Sequence, residues 1–297
     1  MNQLFSGLLL SSKTESQLRS FIAKPSNALL ITGKQGSGKK RLASALSAVL
    51  IGVEPDKLSK SPQFFRVSKP EDKTEIPIES VREVAKKISL RVATDSNSLI
   101  NRAIVFEDAQ DLSQEAQNAL LKLLEEPPKQ SLLILTSTAD DSLLPTVVSR
   151  TQTITVVPPS LSQAIDYYKD KPKAEVTSAY KLSKGTTDLL DSLLSRQGEH
   201  DLKIGVGQAK IFIKSNTYER LIQLQTISKD KNGLEIFLEA LSRVLAVLHE
   251  DSLKTDKTKL SARVLGSRQT VETTINQLNH SSNVRLVCLG LALNFSI

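Results

Sequence analysis

The sequence predicts an α/β domain with a parallel sheet, followed by a region made of helices. In the first half of the chain, apolar segments that suit buried strands ("NALLITG", "NRAIVFEDA" and "SLLILTST") alternate with segments of helical periodicity. Strands and helices that alternate in this way form parallel sheets buried on both faces. After the pair Pro158–Pro159 the pattern is helical, and this pair is a plausible domain boundary.

The composition is typical of a globular protein and sets limits on its chemistry. The 297 residues suit two or three domains, and 39% are hydrophobic while 24% are charged. The single cysteine, Cys288, excludes an internal disulfide and is interpreted as a buried core thiol. The three histidines lie in separate segments without ligand spacing, so no metal site is expected. The net charge of +7 fits contact with nucleic acid and fits a merely basic surface equally well.

The first strand runs into the loop "GKQGSGKK", and "KKRLASALSAVLIG" continues as a helix. The loop matches the phosphate-binding template at Gly33, Gly38 and Lys39, with an additional Gly36. In such loops backbone N–H groups surround phosphates and the lysine neutralises their charge. The strand–loop–helix context makes this a loop of nucleotide-binding origin.

The last position of the template holds Lys40 in place of the serine or threonine that binds magnesium. This change removes an oxygen ligand and can bring an ammonium near the metal. Two unit charges about 4 Å apart interact by about 4 kcal/mol at an effective dielectric near 20, and magnesium carries twice that charge. A turn of Lys40 into solvent would relieve the repulsion, but the ligand stays missing. The loop therefore argues against hydrolysis and leaves nucleotide binding open.

The second strand ends in Glu107 and Asp108. They fit a metal-binding and water-activating pair, which normally reads Asp-Glu and here has the inverted order Glu-Asp. Two exposed acids at a strand end are an equally good interpretation.

Further on, "SQEAQNALLKLLEEPP" predicts a helix that Ser113 caps and a proline pair ends. Arg150 follows the next helix-like segment. It could reach a neighbouring subunit's phosphate, although a surface arginine is the simpler interpretation of this residue alone.

Several segments together carry a resemblance to a known family. They are "SPQFFRVSKPEDKTEIPIESVREV", "FEDAQDLSQEAQNALLKLLEEPP", "TSTADDSLLPTVVSRTQTI" and the late "NVRLVCLGLAL". The sequence resembles the bacterial clamp-loader AAA+ proteins and, among them, the delta-prime subunits of DNA polymerase III. The resemblance is strong over residues 25–158, weaker through 159–205 and patchy beyond.

The resemblance implies three domains. These are an AAA+ nucleotide-binding-like α/β domain (1–158), a small helical lid (159–204) and an all-α collar that assembles a ring (205–297). Such a ring opens a sliding clamp and places it on primed DNA. The implied partners are therefore the other clamp-loader subunits, the clamp and, through the complex, primer-template DNA. The chain has no positively charged leader and no bilayer-length apolar run, so a cytoplasmic protein is expected.

The resemblance also assigns roles to residues. Arg150 corresponds to an arginine given to a neighbour's ATP site, and Ser137 and Thr138 are the sensor-1-like positions. Asp188 lies near the place where active relatives carry a phosphate-sensing arginine. The zinc-binding cysteines of the family are absent, so no zinc is expected. ATP with magnesium is a weak expectation, because Lys40 and the inverted acids both point to a degenerate site.

Two alternatives stay open at this point. The chain could be a motor subunit that hydrolyses ATP with an unusual loop, which a phosphate-release assay would reveal. It could also be a free-standing, DNA-associated AAA+ module, which a search for partner subunits would decide. The leading hypothesis is a clamp-loader subunit without intrinsic ATPase activity.

Overall fold

A computed structural model describes the residues in seven stretches, which are 5, 7–89, 100–139, 143–194, 201–255, 257–280 and 283–297. The chain divides into two compact units, Met1–Tyr167 and Tyr168–Ile297. Among the described residues, no helix has the length and apolarity that crossing a bilayer requires.

The described part of the first unit contains one parallel sheet. Its strands are β1 (Ala28–Thr32), β2 (Phe64–Val67), β3 (Arg102–Phe106), β4 (Ser131–Ser137) and β5 (Gln152–Thr155). They are ordered β2-β3-β4-β1-β5, and every pair is parallel. The predicted parallel α/β fold is confirmed. Because the carboxyl ends of parallel strands meet at one edge, the loops after β1, β3 and β4 converge there.

Helices cover both faces of this sheet. The helices of this unit are α1 (Ser12–Ala23), α2 (Lys39–Ile51), α3 (Ile78–Ser89), α4 (Gln114–Glu125), α5 (Pro145–Val148) and α6 (Leu161–Tyr167). Phe21 of α1 and Leu46 of α2 pack in one core cluster, whereas Val81 of α3 and Leu120 of α4 pack in the other. The strands β1, β3 and β4 contribute to both clusters, which explains their uninterrupted apolar sequences.

Helix α1 was not predicted from the sequence. A signal for it was present, because Ser11 stands before the helix and its hydroxyl accepts a hydrogen bond from the Thr14 N–H at 3.3 Å. Leu18 and Phe21 follow at helical spacing and are fully buried. The short, mostly polar helix has only this narrow apolar stripe.

The described part of the second unit is helical. Its helices are α7 (Lys173–Ser183), α8 (Thr187–Leu194), α9 (Asp201–Lys214), α10 (Thr217–Ile227), α11 (Lys231–Lys254), α12 (Thr258–Asn279) and α13 (Val284–Asn294). Phe212 packs edge-to-face against Phe237 and Phe295, with ring centroids 5.3 and 5.1 Å apart. Leu182 of α7 belongs to the same core as these rings. The expected lid–collar boundary at 204 falls inside α9, and the division into lid and collar stays a prediction.

One apolar face of α11 lies in this core. Phe237, Ala240, Leu241 and Val244 are buried, and Leu248 packs at its border. Cys288 is also buried, as expected, and burial raises the pKa of its thiol above the ordinary value.

Candidate functional site

The phosphate-loop sequence forms a turn that leads into α2. Gly36 and Gly38 have φ angles of 74° and 79°, which lie in the left-handed region where glycine is favoured. The helix begins at Lys39, directly after Gly38. The first N–H groups of a helix have no partners within the helix, so this end of α2 offers donors to an anion.

Lys39 lies across the loop. Its ammonium donates hydrogen bonds to the carbonyls of Gly33 and Lys34 at 2.7 and 3.0 Å, and only 6% of the residue is exposed. The Ser37 hydroxyl is buried and has no hydrogen-bond partner among the residues that the structure describes. It points towards Gly33, since a Cβ atom added there would lie 2.9 Å from the hydroxyl oxygen.

Lys40 forms ion pairs with both acids at the end of β3. Its Nζ atom lies 2.5 Å from Oδ2 of Asp108 and 3.9 Å from Oε2 of Glu107. Partial burial by itself would lower the pKa of Lys40. The hydrogen bond and charge of Asp108, with the charges of Glu107 and Asp111, outweigh burial and raise the pKa above the ordinary value. The ammonium is thus held between the carboxylates.

A second cation reaches the acids from the neighbouring strand. Nε of Arg66 on β2 lies 3.2 Å from Oε1 of Glu107, and another guanidinium nitrogen donates to the Ser44 hydroxyl of α2 at 3.2 Å. Arg66 belongs to no sequence motif, so it was not predicted as a site residue. It lies here because β2 pairs with β3 in a register that places Arg66 beside Val105.

The turn after β3 fixes the direction of Asp108. This residue has φ 50° and ψ 56°, a left-handed conformation that aspartate tolerates better than most residues. Its N–H donates to the Thr136 hydroxyl of β4 at 2.9 Å. The conformation and this bond hold the carboxylate towards α2.

The sensor-1-like positions lie beside the loop. The Gly33 N–H donates to the carbonyl of Ser137 at 3.2 Å, so the end of β4 contacts the start of the loop. The Ser137 hydroxyl is buried and donates to the carbonyl of Ala139 at 2.6 Å, while the Thr138 N–H donates to the side-chain oxygen of Gln110 at 3.2 Å. A sensing role for Ser137 and Thr138 stays a prediction.

Arg150 is exposed near the turn between α5 and β5. One guanidinium nitrogen lies 2.9 Å from Oε1 of Glu125, and another donates to the Thr146 carbonyl at 3.0 Å. Glu125 ends α4, and the sequence analysis gave it no role. Asp188 lies in the first turn of α8 and is half-buried.

The residues at the end of β3 do not fit a magnesium ion. Magnesium requires near-octahedral oxygen ligation at about 2.0–2.1 Å, commonly with carboxylates and substrate phosphates. Here the hydroxyl ligand is replaced by Lys40, and the carboxylates pair with Lys40 and Arg66. Elsewhere in the described part of the chain, no three His, Cys, Asp or Glu side chains are grouped to hold a metal.

The sheet order, the loop after β1 and the acids after β3 define an AAA+ P-loop domain, which is followed by a helical C-terminal unit. A profile of the family described as "DNA polymerase III, delta subunit" matches residues 11–160, half of the chain. The chain belongs to this family.

Individual relatives agree with this assignment. The chain is 26% identical over 177 residues to the DNA polymerase III subunit delta' of Escherichia coli, covering 54% of this chain and 52% of the relative. It is 26% identical over 162 residues to the same subunit of Haemophilus influenzae, covering 50% and 48%. The chain thus matches about half the length of these relatives.

A solved structure extends the similarity in fold to nearly the whole chain. It is a DNA polymerase III gamma subunit-related protein from Thermotoga maritima, with a TM-score of 0.53 and 18% identity. The match covers 95% of this chain and 98% of that protein. At this identity it shows the shared fold alone.

Proposed function

We propose that this chain is a delta-prime-like subunit of the DNA polymerase III clamp loader. It helps to place the sliding clamp on primed DNA and does not hydrolyse ATP itself. Family membership supports the assignment to this machine. The partners are the other clamp-loader subunits, the clamp and, through the complex, primer-template DNA.

The observation that carries the non-hydrolysing role is the position of Lys40. Its ammonium lies 2.5 Å from Asp108, in the region where a hydrolysing loop needs magnesium. Metal ions in such sites bridge the nucleotide phosphates and neutralise charge that develops during phosphoryl transfer. An ammonium cannot ligate oxygens as magnesium does, so the site lacks the group that drives hydrolysis.

Arg150 gives the chain a role in a neighbour's site. Its guanidinium is exposed at the turn between α5 and β5 and carries five donors in a planar fork. Such a group suits a γ-phosphate presented by an adjacent subunit. The chain would thereby support ATP hydrolysis in the ring without performing it.

Reconstitution tests this function. The chain is mixed with the other clamp-loader subunits and the sliding clamp of its own organism, and size-exclusion chromatography then measures co-elution. Clamp loading on primed circular DNA is measured with and without the chain. We expect co-elution and loading that depends on the chain. A chain that elutes alone and leaves loading unchanged would be a free-standing module.

A further inference from the structure

The acids at the end of β3 would repel a nucleotide if they were left uncompensated. In a metal-dependent loop the magnesium ion lies between carboxylates and phosphates and offsets the repulsion of these anions. Glu107 and Asp108 remain in this chain, and Glu107 is buried. Any phosphate that enters the loop therefore needs another source of positive charge between itself and these acids.

Two side chains supply that charge. Lys40 contacts Asp108 at 2.5 Å and Glu107 at 3.9 Å, while Arg66 contacts Glu107 at 3.2 Å. With two cations on two carboxylates, the acid pair is neutralised by the protein itself. Lys39, whose ammonium lies inside the loop, then adds positive charge in excess of the acids.

The loop also has polar groups that are available to hydrogen-bond a ligand. Ser37 is 94% buried, and its hydroxyl points towards Gly33 across the loop and finds no hydrogen-bond partner in the described part of the chain. A buried hydroxyl without a hydrogen-bond partner is energetically unfavourable. Together with the N–H groups at the start of α2, this hydroxyl indicates that the loop binds an anion and has not lost its phosphate-binding shape.

We propose that the loop binds the phosphates of a nucleotide without a divalent metal, with Lys40 as the permanent cation in place of magnesium. This inference rests on the proposed non-hydrolysing role and extends it. The bound nucleotide would be a structural ligand, because the arrangement favours phosphate binding and lacks the metal that hydrolysis needs. Binding would therefore be insensitive to chelators.

Calorimetric titration of the full chain tests the proposal. ATP, ADP and inorganic tripolyphosphate are the probes, each with excess EDTA and with excess MgCl₂. We expect wild-type affinity for ATP and tripolyphosphate to agree within about twofold between the two conditions, because Lys40 supplies its positive charge with or without magnesium. Binding that appears only with MgCl₂, or no binding in either condition, overturns the proposal.

Variants locate the effect. Lys40→Thr restores the template hydroxyl and should weaken binding in EDTA by about tenfold or more, because it removes a cation close to the phosphates. Lys39→Ala should weaken binding in both conditions. The control is Lys129→Thr, the same substitution at an exposed lysine that precedes β4 and so lies at the opposite edge of the sheet.

Circular dichroism confirms that each variant is folded before titration. If the Lys40→Thr variant binds ATP in EDTA as tightly as the wild type does, Lys40 is not the cation that replaces magnesium, and the proposal fails. The outcome is separable from that of the proposed function, because co-elution and clamp loading are measured independently. Normal clamp loading by a chain that binds no nucleotide would reject this inference alone.

Discussion

Arg150 and Glu125 form an ion pair, with a guanidinium nitrogen 2.9 Å from Oε1 of the carboxylate. The pair joins the turn after α5 to the end of α4. A second nitrogen donates to the Thr146 carbonyl, so the guanidinium is oriented although 38% of the side chain stays exposed. An arginine held in this way loses less freedom when it meets a phosphate than a free surface arginine would.

Replacing Arg150 should affect the assembled ring and leave this chain intact. Exposed ion pairs contribute about 0–1 kcal/mol, so Arg150→Ala should not change folding or assembly. Loss of an arginine supplied in trans slows hydrolysis at the affected site by about 10³- to 10⁵-fold. The whole complex should lose less, because its other ATP sites are untouched. DNA-stimulated phosphate release and clamp loading are the measurements.

Two further variants test whether the effect is specific to the guanidinium of Arg150. Arg150→Lys should rescue poorly, because an ammonium lacks the planar fork. Arg19→Ala is the matched control, since Arg19 is also an exposed arginine paired with a glutamate, Glu15. If the complex with Arg150→Ala hydrolyses ATP and loads clamps at wild-type rates, Arg150 is a surface residue without a role in a neighbour's ATP site.

The isolated chain should release phosphate from ATP no faster than background. The physical reason is the ammonium of Lys40 beside Asp108. Lys40→Thr alone should not create turnover, because the acids stay inverted and the resemblance expects an arginine near Asp188 that is missing. A sensitive phosphate-release assay, with Lys39→Ala as the blank, decides this. Steady turnover by the wild type that Lys39→Ala abolishes would identify a motor subunit.

Assembly should depend on an exposed leucine face of α13. Leu286, Leu289 and Leu293 follow at spacings of three and four residues, and the outer two are 66% and 62% exposed. Exposed apolar faces of this kind mark protein contacts. The double substitution Leu286→Ser and Leu293→Ser should keep the melting temperature and weaken co-elution with the partner subunits.

Substitution tests this surface better than truncation does. Leu182 of α7 packs in the same core as α9 and α11, so a chain cut before residue 205 would expose part of that core. Leu253→Ser is a control at a leucine of similar exposure near the end of α11. If the α13 double variant co-elutes like the wild type, this face is not an assembly surface.

The second unit should depend strongly on Arg220. Its guanidinium is buried and donates to the carbonyls of Phe212, Ile213 and Phe295 at 3.0, 3.2 and 2.7 Å. It also stacks 4.6 Å from the centre of the Phe295 ring. Burial lowers the pKa of Arg220, but an arginine keeps its charge. The residue thus joins the last turn of α9 to the end of the chain.

Arg220→Met should lower the free energy of unfolding by about 3 kcal/mol or more, because it leaves two buried carbonyls and one partly buried carbonyl without this donor. Urea unfolding followed by circular dichroism measures the change. Arg263→Met is the control at an exposed arginine of α12 and should lie within about 0.5 kcal/mol of the wild type. A loss below about 1 kcal/mol for Arg220→Met would contradict the role assigned to these bonds.

Features that depend on neighbours along the chain could be predicted from the sequence alone. The strands β1, β3 and β4 were predicted because burial on both faces requires uninterrupted apolar runs. The phosphate loop was predicted because Gly33, Gly38 and Lys39 match its template between a strand and a helix. The helices α2 and α4 followed from their periodicity, whereas α1 was missed because its apolar stripe is narrow.

The tertiary structure decided which charges meet. From the sequence alone, the Lys40 side chain could equally turn into solvent. The parallel sheet brings the end of β3 beside α2, and the Lys40 ammonium therefore forms an ion pair with Asp108. Arg66 carries no motif, and only the register of β2 on β3 places it against Glu107. Glu125 likewise meets Arg150 across a gap of more than twenty residues. Side chains distant in sequence are brought together by strand pairing and helix packing, which local patterns do not encode.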